Sequence, residues 1–489
     1  MEQLEQLEHQ AISVARRLAQ YACGLEFRSL PEVVIHEAKR HIIDALGCAF
    51  GAFAAEPVKI ARSMAQEFGG RAQARVIGAH LATSAPLATF INGLMIRYLD
   101  YNDTYLSKEP AHPSDNIAAA LAVADAAGRS GKDLLTAVIL AYEVQCRLAD
   151  AASIRARGWD HVTYGAFSTA AAAAKLLGLG AEQVEQALNL SGVANVALRQ
   201  TRAGELSMWK GAAFANVARN GVFAAYLARA GMTGPAPLFE GEMGFFRQVS
   251  GEFALDRLGG ERSSAPEGSI PEWSVPGGVS KGVAADVAEG QFKIMETSIK
   301  FYPAEYHAQA GIEAAVALKR EGVRIENVAE IMVHTFRAAV EIIGKDPEKW
   351  RPRTRETADH SLPYCVAVAL ADGTVQEKQF TPERIGDPRL QEFLGKIRLV
   401  EDPALTEGYP AGIPTVLDVQ LQTGQRLRKR VDFPRGHAKN PMSDAELGAK
   451  FLRLTGWVLA PSQQEEALTR LWRLENEPDL ARLWAALVV

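Results

Sequence analysis

Runs of alanine interleaved with leucine and valine constrain this chain more than any other feature. Ile117 to Ala127 reads I-A-A-A-L-A-V-A-D-A-A, and Gly165 to Leu177 reads G-A-F-S-T-A-A-A-A-A-K-L-L. Alanine is the strongest helix former, and its short side chain lets helices approach closely. Such faces suit the interior of a bundle or a subunit contact rather than solvent. Apolar periodicity predicts helices over residues 4–24, 30–53, 57–68 and 85–98, then 117–127, 132–152, 164–177, 180–195 and 210–230. Ser29-Leu-Pro-Glu32 reads as a capped helix start, and Gly69-Gly70 as a stop. No convincing strand precedes residue 250, so the first half reads as an all-α domain.

Residues 259–290 change character, with the Gly, Pro and Ser density of a linker or long loop. Beyond them the pattern is mixed. Residues 305–321 read as a helix, and Ala329 to Phe336 and Lys396 to Val400 as strands. Thr415 to Phe433 alternates through Leu417, Val419 and Leu421, turns at Thr423-Gly424 and returns through Leu427 and Val431, which is a hairpin signature. Residues 443–487 are helical again, opened by Ser443-Asp444-Ala-Glu446. The second half is therefore α+β, closed by helices that either extend it or pack back on the first domain.

Composition narrows the function class. A chain of 489 residues exceeds one ordinary core, and a net charge of -5 without a basic excess makes nucleic acid a poor partner. Cys23, Cys48, Cys146 and Cys365 lie far apart with no C-x-x-C pair, which argues against an iron–sulfur cluster or zinc knuckle and fits a reducing compartment. The acidic, amphipathic N-terminus does not resemble a secretory signal, and no run of about 18 uncharged apolar residues suggests a membrane span. A cytoplasmic protein is the expectation.

Against this background Tyr98 to Asn116 stands out: Y-L-D-Y-N-D-T-Y-L-S-K-E-P-A-H-P-S-D-N, a dense polar segment between two apolar helices. Asp100-x-x-Asp103 suggests a magnesium–diphosphate site, but the usual D-D-x-x-D and a second acidic motif are missing. There is no H-E-x-x-H, no G-x-S-x-G and no G-x-G-x-x-G after a strand. What remains is cofactor-free acid–base chemistry by Asp, His, Tyr and Lys. His112, His161, His307, His360 and His437 have unusual neighbours, whereas His9, His36, His41, His80 and His334 read as structural. Lys210, in S-M-W-K-G-A-A, and Lys300, in S-I-K-F-Y-P, are either snorkelling surface lysines or, with the histidines, walls of a pocket for a polyanion.

The segment I-N-G-L-M-I-R-Y-L-D-Y-N-D-T-Y-L-S-K-E-P-A-H-P-S-D-N resembles the signature of the MmgE/PrpD family. H-I-I-D-A-L-G-C, W-K-G-A-A-F-A-N-V-A-R-N-G, I-K-F-Y-P, D-H-S-L-P-Y-C-V-A-V-A-L-A-D-G and G-H-A-K-N-P-M extend the resemblance along nearly the whole chain, in the family's order. The family includes 2-methylcitrate dehydratases, cis-aconitate decarboxylases and an iminodisuccinate epimerase. The resemblance implies a mainly α homodimer: a large all-α domain (1–270), a smaller α+β lid (271–440) and C-terminal helices (441–489) packing back on the first domain. It implies no metal and no cofactor. The long form of the signature is closer to the dehydratase branch, which makes dehydration of 2-methylcitrate to 2-methyl-cis-aconitate the expected reaction. A decarboxylase or epimerase of a related di- or tricarboxylate is the alternative.

Carried over residue by residue, the family's pocket falls on Asp100, Thr104, His112, His161, Lys210, Lys300 and Tyr364. His161 stands in W-D-H-V-T rather than the frequent F-H-P-T-G form. Eliminating water from 2-methylcitrate requires removing a proton alpha to a carboxylate and expelling a tertiary hydroxyl. Lys210 and Lys300 offer fixed positive charge for the substrate and its developing aci-carboxylate, with Thr104 beside them. Asp100 or His161 is the expected base, and His112 or Tyr364 the expected acid.

Overall fold

The computed structural model describes residues 12–204, 206–261 and 291–488. Nearly all of the Gly/Pro-rich stretch 259–290 lies outside the described residues, as do the first residues of the expected N-terminal helix. The described part of that helix is Val14–Gly24 (α1), capped by Ser13. There follow α2 (Glu32–Gly51), α3 (Glu56–Phe68), α4 (Ala85–Tyr98), α5 (Ile117–Ala126), α6 (Gly131–Ala151), α7 (Gly165–Leu176), α8 (Ala181–Ala194) and α9 (Trp209–Arg229). The alanine-rich α5 and α7 are buried almost all round, as their lack of a polar face requires. The close approach is visible where α4 meets α9. A Cβ on Gly93 would stand 3.1 Å from the Cβ of Ala215.

Two local expectations are corrected. Ser29 does not cap α2. It sits in a 3-10 turn and its hydroxyl bonds back to the Glu26 carbonyl, leaving Pro31 at the cap with its fixed φ. The first half also holds an antiparallel ribbon, β1 (Ala74–Arg75) with β2 (Ala82–Thr83), whose two-residue strands are too short to show a period.

In the second half α10 (Gln309–Arg320), preceded by a 3-10 turn over Tyr306–Ala308, packs with α11 (Leu362–Asp372) beside a four-stranded sheet. Its strands are β3 (Val328–Thr335), β4 (Ile397–Glu401), β5 (Thr415–Leu421) and β6 (Arg426–Val431), in the order β4-β3-β5-β6. β3 and β4 run parallel; the other pairings are antiparallel, with the hairpin turning at Thr423-Gly424. The basic edge strand β6 carries Arg426, Arg428, Lys429 and Arg430, which discourages further pairing. The chain is thus mainly α with a small α+β part.

Two apolar clusters organise these elements. The larger gathers α1 to α9 together with Leu447, Phe451, Ala467, Leu471, Leu483 and Trp484 from the last helices. These helices are α12 (Asp444–Thr455), opened by a Ser443/Glu446 capping box, α13 (Pro461–Trp472) and α14 (Ala481–Ala486). The smaller cluster draws on residues 302–421. Phe292, Ile294 and Ile299 belong to the large cluster and Tyr302 to the small one, so Lys300 stands at the seam. No helix among the described residues is long and apolar enough to cross a membrane.

Candidate active site

The chain leaves α4 through Arg97 and turns sharply at Asp100, whose φ of 52° makes it the one non-glycine with positive φ among the described residues. A left-handed conformation at a residue bearing a Cβ costs on the order of 1–3 kcal/mol and persists only where the surroundings impose it. They do so here with charge. The Asp100 carboxylate meets Arg97 at very short range, Lys300 Nζ at 2.8 Å, Lys210 Nζ at 3.2 Å and His360 Nε2 at 3.3 Å. Lys300 Nζ also donates to the Asp100 carbonyl at 2.9 Å. Burial pushes the Asp100 carboxyl up, but Arg97, Lys210 and Lys300 outweigh it and hold the group well below the usual carboxylate range.

The rest of the loop is locked by its own polar groups. Asp103 accepts from Ser114 N at 3.0 Å, Ser114 Oγ at 2.6 Å and the Tyr142 hydroxyl at 2.6 Å, and its Oδ2 lies 3.0 Å from His41 Nδ1. Asn102 donates to Ser114 and Asp115, and Asn116 to Gln145. Thr104 exchanges both backbone hydrogen bonds with Ser298, which ties the loop to the strand of chain leading into Lys300. Asp103, Asp115 and Asn116 therefore serve the loop's shape.

One cavity of about 120 Å³ brings together Arg97, Asp100, Thr104, His112, His161, Arg202 and Lys300 from the large side with Glu305, Tyr306, His307, Lys349 and His360 from the small side. Lys210 lies one layer behind, reaching the cavity through Asp100 and through His360 Nδ1 at 3.3 Å. Tyr364 is not on the wall. It is fully buried in the small core on α11, and its hydroxyl donates to the Gln379 carbonyl at 2.6 Å. The expectation that Tyr364 supplies an acid is corrected on that ground. It stands in the first turn of α11, away from the cavity lining, with its hydroxyl committed to Gln379. The tyrosine that does line the cavity is Tyr306.

Of the four histidines on the cavity, His112 and His161 stand on the large side as neutral rings. His112 Nδ1 is 2.7 Å from the Asp103 carbonyl, an acceptor only, so Nδ1 carries the proton and Nε2 keeps its lone pair. Burial, with Arg97 and Lys300 nearby, holds its pKa well below the ordinary histidine value. His161 Nδ1 contacts Asp160 Oδ1 at 2.8 Å, and Asp160 Oδ2 in turn accepts from Arg202 Nε at 3.0 Å. His161 Nε2 is buried with no hydrogen-bond partner among the described residues. Burial lowers its pKa, against the opposing pull of Asp160. The two rings meet edge to face, centroids 5.6 Å apart.

Sequence reasoning passed over several of the cavity's groups. Arg97, Arg155, Arg199, Arg202 and Lys349 line it, so among the described residues six basic side chains, Lys300 included, stand against Asp100, Glu305 and Asp346. His360 was among the unusual histidines without a role; it lies between Asp359 Oδ1 at 2.5 Å and Asp100. Burial also lowers the pKa of Lys300, with Asp100 opposing. Asp100, Asp359 and His360 offer ligand atoms close enough to share a cation. Yet Lys210 lies 3.7 Å from Asp359 as well as on Asp100, so both carboxylates already have positive partners. The arrangement suits a small polyanion.

Comparison with known proteins gives the same direction. The MmgE/PrpD N-terminal domain matches residues 16–258 and the MmgE/PrpD C-terminal domain residues 302–475. The 2-methylcitrate dehydratase of Cupriavidus necator is 32% identical over 436 residues, covering 84% of this chain and 82% of that protein. A probable 2-methylcitrate dehydratase of Saccharomyces cerevisiae is 28% identical, with 87% and 81% covered, and the Escherichia coli 2-methylcitrate dehydratase 30% identical, with 75% and 74% covered.

Proposed function

The chain belongs to the MmgE/PrpD family, and on that premise we propose that it is a hydro-lyase converting 2-methylcitrate to 2-methyl-cis-aconitate by acid–base elimination without a metal. The observation that carries this reading is the cavity's surplus of positive charge around two neutral histidines. Three carboxylates on the substrate match a wall where, among the described residues, basic groups outnumber acidic ones.

His161 serves as the base. Asp160 holds its Nδ1 proton, which leaves Nε2 free to take the proton alpha to the carboxylate. Asp100, the other expected base, is engaged by three cations and is a weak one; its part is to organise them. Two of the three N–H bonds of Lys300 go to Asp100, and the third is available to the substrate. With its pKa lowered by burial, Lys300 steadies the developing aci-carboxylate and yields a proton to the departing hydroxyl. Such acid–base help is worth roughly 10²–10⁴-fold per group. Arg155, Arg199 and Lys349 bind the remaining carboxylates, and Thr104 and His112 complete the wall.

The working form is proposed as a homodimer in the cytoplasm. Exposed Met208, Trp209 and Phe223, at and along α9, support a subunit contact, and the free thiols Cys48, Cys146 and Cys365 support a reducing compartment. The reaction is tested by following ultraviolet absorbance with 2-methylcitrate, where a conjugated alkene must appear. Release of carbon dioxide, or a change of stereochemistry alone, assigns the protein to another activity and defeats the proposal.

A further inference from the structure

We propose that Lys450, 150 residues downstream of Lys300 and outside the cavity, is a positioning residue that holds Asp100 and Lys300 in register. Its buried ammonium has three oxygens within hydrogen-bond reach: the Lys300 carbonyl at 2.8 Å, the Tyr101 carbonyl at 2.9 Å and Asp44 Oδ1 at 2.6 Å. The first belongs to the residue whose amine grips Asp100. The second belongs to the residue following Asp100, where the chain leaves its left-handed turn. One cation thus ties the two main-chain segments that carry the charged pair, and the Tyr101 ring lies under it at 3.6 Å.

Arg453, one turn further along α12, repeats the arrangement. It donates to the Tyr101 hydroxyl at 2.9 Å, and that hydroxyl donates to the Phe301 carbonyl at 2.7 Å. Consecutive carbonyls at the seam, those of Lys300 and Phe301, are therefore both held from the same helix. A buried cation is a poor device for stability alone, since an apolar side chain of similar size would avoid the desolvation. It is a good device for fixing two carbonyls relative to each other, because an ammonium donates in three directions at once.

The inference rests on the reading of Asp100 and Lys300 as working parts of the site, and the test separates the two. The variant is Asp44→Asn with Lys450→Met, which removes the clamp without leaving a buried carboxylate unpaired. It is measured in the wild-type and Lys300→Ala backgrounds, by kcat for 2-methylcitrate and by calorimetric Kd for citrate. In the wild-type background kcat falls about 100-fold, the order expected for a displacement of about 1 Å, and citrate binds about 10-fold more weakly. In the Lys300→Ala background the same changes weaken citrate binding by less than about 2-fold, because a group that acts through Lys300 has nothing left to position. Equal losses in both backgrounds, or none in either, overturn the inference. Wild-type protein that binds citrate but turns over no 2-methylcitrate defeats the proposed function and leaves the binding comparison decisive for Lys450. Should the wild type bind no citrate yet turn over 2-methylcitrate, the same comparison is read with KM for 2-methylcitrate, and a wild type with neither activity nor citrate binding overturns both. Should the variant lose the wild-type circular dichroism spectrum, Lys450→Arg replaces it. A guanidinium keeps a partner for Asp44 but cannot keep both carbonyl contacts, so kcat is expected to fall about 10-fold with KM within about 3-fold, and wild-type kcat overturns the inference.

Discussion

Asp100→Asn separates an organiser of charge from a general base. Asparagine is nearly isosteric and among the residues most tolerant of the left-handed region, so the turn at φ 52° survives the change. What disappears is the charge between Arg97, Lys210 and Lys300. Removing one partner of a buried ion pair costs about 3–5 kcal/mol of stability, because uncompensated cations stay behind. A unit-charge pair at 4 Å in an effective dielectric near 20 is worth about 4 kcal/mol. Losing that attraction lowers the Lys300 pKa. Asp100 now supports the charged amine against burial, so the shift is downward. As the acid, Lys300 must be protonated; the alkaline limb of the kcat/KM profile is therefore expected at lower pH. A trianionic ligand replaces the missing charge, so citrate should bind the variant at least as tightly as the wild type and raise its melting temperature more, while kcat collapses. Denaturant titration, a pH–rate profile and calorimetry with citrate check the three parts. Unchanged stability with an unmoved alkaline limb, or citrate binding weakened in proportion to kcat, refutes the assignment.

Asp160→Asn removes the group that opposes the lowering of the His161 pKa, so the acid limb of the pH–rate profile should move to lower pH while the plateau falls about 10²-fold or more, measured as kcat/KM from pH 4 to 8. Tyr364→Phe leaves kcat within about 3-fold and costs about 1 kcal/mol in denaturant titration, since its hydroxyl serves only the Gln379 carbonyl. Prolonged dialysis against a chelator should leave the wild-type rate unchanged, because the carboxylates of Asp100 and Asp359 are already matched by cations; loss of activity restored by a divalent ion contradicts the metal-free chemistry.

The helical half was legible because its alanine-rich segments have a single way to fold, and the hairpin because Thr423-Gly424 follows a clean alternation. The two-residue ribbon β1–β2 was not, because it carries no period. Within the cavity, Asp100, Thr104, His112, His161 and Lys300 stood out through unusual neighbours or through motif. Arg97, Arg199 and Lys349 did not. Arginine and lysine are common on helix ends and loops, and only the folding of distant segments onto one wall reveals their shared purpose. Tyr364 misled because its motif is contiguous with His360, which does reach the cavity; His360 precedes the Ser361 cap of α11, whereas Tyr364 lies inside the helix and turns into the small core. The W-D-H form at His161, at first sight a departure, supplies the carboxylate that orients the ring.

The return of α12 to α14 to the large core sets an order on synthesis. The small core draws its apolar residues from one continuous interval, 302–421, and is complete once β6 has been made. The large core needs Phe451, Leu471, Leu483 and Trp484, so its closure waits for α12 to α14 to be translated. Until then α2 lacks the helix that covers it, and Asp44 lacks its cation. A ribosome stalled late in the message would therefore hold a finished small unit beside an open bundle. Chaperones that bind exposed apolar helices should recognise the nascent chain until α12 emerges and lose their grip as it docks.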